Sequence, residues 1–116
     1  MPQITVDYSG TLAATFDRQA FALALHPLVV DTVAARPEAC KTRFRRIDDF
    51  VIGDRTEGHA VLHVEIRLLH GRTDAAKIRL ADAVLDLIAA RVEPADGITL
   101  HASVEVPTLD AAFRKR

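Results

Sequence analysis

The sequence predicts an α+β fold built from two successive strand–helix–strand units, and three observations carry that prediction. Period-two alternation, or a charged run with the same period, recurs at four places along the chain. Two longer stretches with apolar residues at helical spacing lie between them, one in each half. The order strand, helix, strand then repeats, dividing residues 1–116 into similar halves at about 1–56 and 57–116. At 116 residues the chain has the length of one domain, with enough surface to bury one core.

The first strand places Ile4, Val6 and Tyr8 on one side and Gln3, Thr5 and Asp7 on the other, and Ser9-Gly10 ends it. A helical stretch follows from about Asp17, carrying Phe16, Ala20, Phe21, Ala24, Leu25, Leu28, Val29 and Val33. Pro27 is expected to kink it or divide it in two, and Arg36-Pro37 stops it. Lys41 to Ile47 reads as a charged strand whose odd positions Lys41, Arg43 and Arg45 share one face. Gly53-Asp54 and Glu57-Gly58 mark a turn region.

The third strand sets Leu62, Val64, Ile66 and Leu68 against Val61, His63, Glu65 and Arg67. After Gly71, Thr73 is a helix N-cap and Asp74 sits in the first turn, where its charge suits the helix dipole. The expected buried stripe of that helix is Ile78, Ala81, Leu85, Ile88 and Val92, closed by Pro94 and Gly97. The last strand, Ile98 to Val106, alternates again, and Arg114-Lys115-Arg116 reads as a solvated tail. If the strands form one sheet, two helices cover its apolar face. The other face, with His63, Glu65, Arg67, His101 and Glu105, then meets water or another subunit.

Composition removes several classes of function. Fifteen Lys and Arg against sixteen Asp and Glu leave a net charge of −1, and aromatic residues are 5% of the chain, so no nucleic-acid partner is expected. No apolar run approaches membrane-spanning length and no leader segment opens the chain, so neither a membrane partner nor secretion is expected. The single cysteine, Cys40, offers neither a disulfide nor a cysteine framework for zinc, which fits a reducing cytoplasm. His63 and Glu65 share a strand face, with His101 able to approach, but a hydrogen-bonded polar interface explains them better than a metal site does, and none is expected. No glycine-rich phosphate loop is present.

Pro2 is the most informative residue. Initiator methionine is normally removed before a small side chain, which would leave proline as the chain terminus with a free secondary amine on a rigid ring. An ordinary α-amine has a pKa of about 7.7 to 8.0, and burial with neighbouring cations both lower it. The result is a general base poised near operating pH, although a Met-Pro start by itself is common and carries little. Lys41, Arg43 and Arg45 on their strand face, and Arg72 at the turn after the third strand, can hold carboxylates. Equally, a basic strand is a common way to protect a sheet edge.

Together, Met1-Pro2 opening a strand, His26-Pro27 in the first helix, the basic strand from Lys41 to Arg43 and Gly71-Arg72-Thr73-Asp74 opening the second helix resemble the 5-carboxymethyl-2-hydroxymuconate isomerase family of the tautomerase superfamily. The likeness covers essentially the whole chain, and the segment from Leu69 to Ala90 also resembles the start of 4-oxalocrotonate tautomerase. The resemblance implies a tautomerase-like four-stranded mixed sheet with two helices on one face, and a homotrimer with the sheets facing a central barrel. It implies a cofactor-independent isomerase in aromatic-acid catabolism that moves a proton in a 2-hydroxymuconate-type dienol, 5-carboxymethyl-2-hydroxymuconate above all. Pro2 would be its base, and Lys41, Arg43 and Arg72 would hold this small carboxylate substrate. The family pattern leads us to expect arginine at position 41, and lysine stands there instead. Other proline chemistry on the same fold (decarboxylation, hydration or dehalogenation) and a non-catalytic trimeric binding protein are the alternatives.

Overall fold

The computed structural model describes residues 2–116; Met1, on whose removal the proline reading depends, lies outside them. Four strands, β1 (Gln3–Ser9), β2 (Lys41–Ile47), β3 (His59–Arg67) and β4 (Thr99–Glu105), form one mixed sheet in the order β2-β1-β3-β4. Helix α1 (Arg18–Val33) connects β1 to the parallel β2, and α2 (Asp74–Arg91) connects β3 to the parallel β4. The two central strands β1 and β3 are antiparallel. A parallel pair needs a long crossover, and each helix supplies it.

Strand alternation fixes which face is covered. Ile4, Val6 and Tyr8 of β1 and Ala60, Leu62, Val64 and Ile66 of β3 are buried beneath both helices. In α1 the buried residues are Phe21, Leu25, Val29 and Val33, a regular four-residue ridge. The Asp17 side chain starts that helix by accepting the Ala20 N–H at 3.0 Å, and Ala34 ends it in the left-handed region at φ 54°. Pro27 lies inside the helix without dividing it. Its residue is exposed, so the Leu23 carbonyl that loses an N–H partner faces water rather than the core.

The stripe expected for α2 is buried only in its later part, at Ile88 and Val92. The helix's own buried ridge is Leu80, Val84 and Ile88, whereas Ile78 and Leu85 are 61% and 37% exposed. The expected and observed stripes converge at Ile88 and Val92 and diverge before them, where Leu80 and Val84 face the sheet in place of Ile78 and Leu85. Thr73 is the N-cap as expected, its side-chain oxygen accepting the Ala76 N–H at 3.1 Å.

The uncovered face of the sheet is a polar lattice. Arg45 binds Asp7 with both ends of its fork at 2.6 and 2.9 Å, which raises the guanidinium pKa further. His63 bonds Ser103 Oγ at 2.6 Å and Glu105 at 3.3 Å, and Arg67 pairs with Glu65 at 3.1 Å. His101 turns to His59 instead, Nδ1 of His59 lying 2.9 Å from Nε2 of His101. Among the described residues no group of three metal-ligating side chains forms. No helix is long and apolar enough to cross a membrane.

Candidate active site

The site forms where the start of β1 meets the end of β3, which the antiparallel register places side by side: Gln3 lies opposite Arg67 on one flank and Lys41 on the other. Pro2 is buried immediately before β1. Its carbonyl accepts the Lys41 N–H at 3.2 Å, so the ring is tied into the sheet through an atom that any residue in its place would retain.

Pro2 forms part of the wall of a pocket of about 220 Å³ shared with Ala34, Ala35, Arg36, Ala39, Leu69, Arg72 and Lys115. Three elements meet there: the C-terminal end of α1, the turn between β3 and α2, and the last residues of the chain. Arg72 is held by two hydrogen bonds, Nε and Nη2 each donating to the Val33 carbonyl at 3.3 Å. That carbonyl is one of those left unpaired at a helix C-terminus, the negative end of the dipole. Nε and Nη2 form the lateral edge of the guanidinium. The end-on edge, Nη1 with the second hydrogen of Nη2, remains to meet a carboxylate in a paired, planar contact.

A second pocket of about 280 Å³ adjoins the first, lined by Gln3, Arg36, Glu38, Ala39, Lys41, Lys115 and Arg116. Arg36 Nη2 pairs with Glu38 at 2.7 Å. A backbone hydrogen bond first, and the Arg36 charge second, hold the Glu38 carboxyl below its usual range, which keeps the pair ionised. Among the described residues Lys41, Arg72 and Lys115 have no carboxylate partner.

The four residues singled out from sequence therefore separate. Pro2 and Arg72 share one pocket, and Lys41 lines the adjoining one. Arg43 lies farther along the same strand face, and its Nη2 donates to Gln3 Oε1 at 3.0 Å. It lines neither pocket.

Arg36 and Lys115 were not among the expected residues. Arg36 reads in sequence only as the helix stop before Pro37, and Lys115 as part of a solvated basic tail. Arg114, Lys115 and Arg116 are exposed as expected, but the segment just before them is anchored. Leu109 is buried, its N–H donates to the Leu68 carbonyl at 2.7 Å, and Leu68 N–H donates to the Pro107 carbonyl at 3.0 Å. Lys77 Nζ donates to Thr108 Oγ1 at 2.7 Å from α2. These bonds hold the C-terminal segment along the end of β3, from where Lys115 reaches the Pro2 pocket. The only signal in the sequence was the apolar Leu109 between polar neighbours.

Two further groups lie nearby but outside the pockets. Cys40 is buried, its Sγ donates to the Arg36 carbonyl at 3.6 Å, and burial pushes the thiol pKa up, the opposite of what a nucleophile needs. His26 Nε2 lies 2.7 Å from Thr42 Oγ1, and burial lowers its pKa.

Over residues 2–115 the chain matches the family model of 5-carboxymethyl-2-hydroxymuconate isomerase. A 5-carboxymethyl-2-hydroxymuconate isomerase from Deinococcus radiodurans R1 shares the fold, with a TM-score of 0.76 at 23% identity, over 99% of this chain and 88% of that one. A 5-carboxymethyl-2-hydroxymuconate delta-isomerase superposes with a TM-score of 0.75 at 16% identity, over 100% of this chain and 87% of the other. A fused 4-OT described as a wild type symmetric trimer matches with a TM-score of 0.70 at 22% identity, over 92% of this chain and 83% of that chain. A search of curated proteins found no match.

Proposed function

The chain belongs to the 5-carboxymethyl-2-hydroxymuconate isomerase family and is an isomerase, and from that premise we propose that it ketonises a 2-hydroxymuconate-type dienol carboxylate with Pro2 as the base. The observation that carries this reading is the burial of Pro2 in a pocket whose other polar wall is cationic, Arg72, Arg36 and Lys115.

With Met1 removed, the Pro2 nitrogen is a secondary amine fixed in direction by its ring and by the Lys41 N–H bond to its carbonyl. In the neutral form it takes the proton of the enol hydroxyl on C2. The electron pair moves into the conjugated chain as the C2 carbonyl forms, and the Pro2 ammonium returns the proton to C3 or C5. The product is the 2-oxo isomer, with no net change in atoms, electrons or charge. The end-on edge of Arg72 holds a carboxylate and spreads the negative charge that develops on the dienolate, a preorganised electrostatic contribution. Every step is carried by side chains and the terminal amine, so no cofactor is required.

The family description favours 5-carboxymethyl-2-hydroxymuconate as the substrate. The likeness to a symmetric trimer, and the polar lattice on the uncovered sheet face, favour a homotrimer with that face turned towards other copies.

The test is loss of the ultraviolet dienol band of 2-hydroxymuconates, with and without a carboxymethyl group, using protein whose intact mass shows that Met1 is gone. Pro2→Ala keeps the carbonyl that pairs with Lys41, so the strand is expected to form normally. Turnover is expected to fall in that variant because its terminal amine is primary and free to rotate, and to fall by roughly a hundredfold or more in protein that keeps Met1, where the Pro2 nitrogen is an amide and cannot be a base. Wild-type turnover in protein that keeps Met1 refutes Pro2 as the base.

A further inference from the structure

The two pockets at the start of β1 share a wall made by Arg36, Ala39 and Lys115. Each has a cation of its own, Arg72 beside Pro2 and Lys41 on the other side. A substrate with one carboxylate needs only one of them. A short conjugated chain ending in two carboxylates can place one group against the end-on edge of Arg72 and pass the other over the wall towards Lys41.

Of the two cations in the wall, only Lys115 is uncommitted. Arg36 is bonded to Glu38 at 2.7 Å, whereas Lys115 makes no ion pair among the described residues. The chain leading to it is tied to the end of β3 at Pro107, Thr108 and Leu109, which brings the C-terminal segment back to this end of the sheet. Lys115 itself is exposed and lines both pockets, so its ammonium is within reach of a ligand in either.

We propose that Lys115 is a substrate-binding residue that selects dicarboxylates, gripping the second carboxylate jointly with Lys41 while Arg72 holds the first. The inference rests on the reading of the Pro2 pocket as the dienol site, but it concerns binding and can be tested without turnover.

The experiment is calorimetric titration of wild type and Lys115→Ala with two unreactive acids, cis,cis-muconate with two carboxylates and sorbate with one. Wild type is expected to prefer muconate. In Lys115→Ala the muconate affinity falls about tenfold, sorbate affinity changes less than about twofold, and Lys115→Arg restores the preference. Because Lys115 is exposed, unfolding is not expected, and an unchanged melting temperature checks this. An equal loss for both acids, no loss, or no wild-type preference for the diacid overturns the proposal. Dienol turnover by wild type and Pro2→Ala is measured on the same preparations. Selective muconate binding without turnover would thus sink the tautomerase reading while leaving Lys115 its role, and turnover without selective binding would do the reverse.

Discussion

Truncating Arg72 to alanine perturbs two things at once, and the structure gives each a size. The side chain is half-buried and donates two hydrogen bonds to the Val33 carbonyl at 3.3 Å, longer than the usual 2.9 to 3.0 Å for such bonds. A hydrogen bond from a charged donor contributes about 1.5 to 3 kcal/mol, and a cation at a helix C-terminus about 0.3 to 1. Length and solvent screening at a partly exposed site pull the hydrogen-bond contribution below that range, so a loss of about 1 kcal/mol is expected. Unfolding entropy of about 2.1 cal/mol/K per residue makes that a fall of roughly 4 °C in melting temperature for a chain of this length. The second effect is on substrate. Losing the end-on edge removes a charge-assisted contact made to the carboxylate and strengthened as the dienolate forms, so kcat/KM is expected to fall by roughly a hundredfold or more. Arg72→Lys separates the two: a lysine keeps one donor and the charge near Val33 and regains much of the melting temperature, but it cannot make the paired contact and regains little activity. Calorimetric melting and dienol kinetics on the same preparations read both. Unchanged kinetics in Arg72→Ala would remove it from the site, and full activity in Arg72→Lys would refute the argument from the two edges of the guanidinium.

Three other outcomes follow from the same structure. The dienol kcat/KM is expected to fall on the acid side as the Pro2 amine takes up a proton, with the limb below the ordinary α-amine range of about 7.7 to 8.0, since burial and neighbouring cations both disfavour the charged form. A pH profile with no such limb in wild type contradicts an amine base. Burial depresses the His26 pKa below its ordinary value of 6.5, so the unfolded chain binds that proton more readily than the folded one. Its contribution to stability is complete above about that pH and is lost as pH falls from there through the depressed folded value; urea melts of His26→Gln across that window should show a shallower acid decline than wild type. Pro27→Ala restores the missing N–H to the Leu23 carbonyl on an exposed turn and should raise the unfolding free energy read from urea melts, by about 1 to 3 kcal/mol less what the unfolded chain gains in freedom. A fall instead would mean that the backbone geometry proline imposes here is needed to place His26 against Thr42.

Much of the fold was legible because strand period and helix period leave different marks. The alternation at Ile4, Val6 and Tyr8 and at Leu62, Val64 and Ile66 describes the buried face without error, Thr73 is the cap it was expected to be, and the first helix starts where expected, at Asp17. The failures have physical causes. Before Ile88, apolar spacing cannot choose between Ile78 with Leu85 and Leu80 with Val84 in α2, and only the sheet decides. Proline is a poor guide to a break when the freed carbonyl faces water, as at Pro27. In the site, Pro2 and Arg72 stand out only through the likeness to the family, since a Met-Pro start is common, and the pocket they share appears only in the fold. Lys115 does not stand out, because its position depends on Leu109 and Leu68, contacts about forty residues apart in sequence that no local pattern encodes.

The topology also explains why the charge collects at one end of the sheet. Each helix is entered from a strand and leaves into a parallel one, and the antiparallel join of β1 and β3 gives the molecule two comparable corners. At one corner the residue before the N-cap of α2 is Arg72 and the residue opening the neighbouring parallel strand is Lys41. At the other corner the residue before the N-cap of α1 is Phe16 and the residue opening the parallel strand is Thr99. Phe16 is buried and packs edge-on against Tyr8, Phe21 and Phe44, with ring centroids 5.4 to 6.0 Å apart. Such contacts add about 0.5 to 1.5 kcal/mol each beyond the area they bury. At the position before the N-cap, one corner therefore packs an aromatic ring and the other presents a cation to its pocket, and the cation nearest the aromatic corner, Arg18, lies over the Tyr8 ring at 5.3 Å. The consequence is one site per chain: titration with muconate should saturate at one equivalent per subunit, and a second equivalent of comparable affinity would show that the aromatic corner binds acids as well.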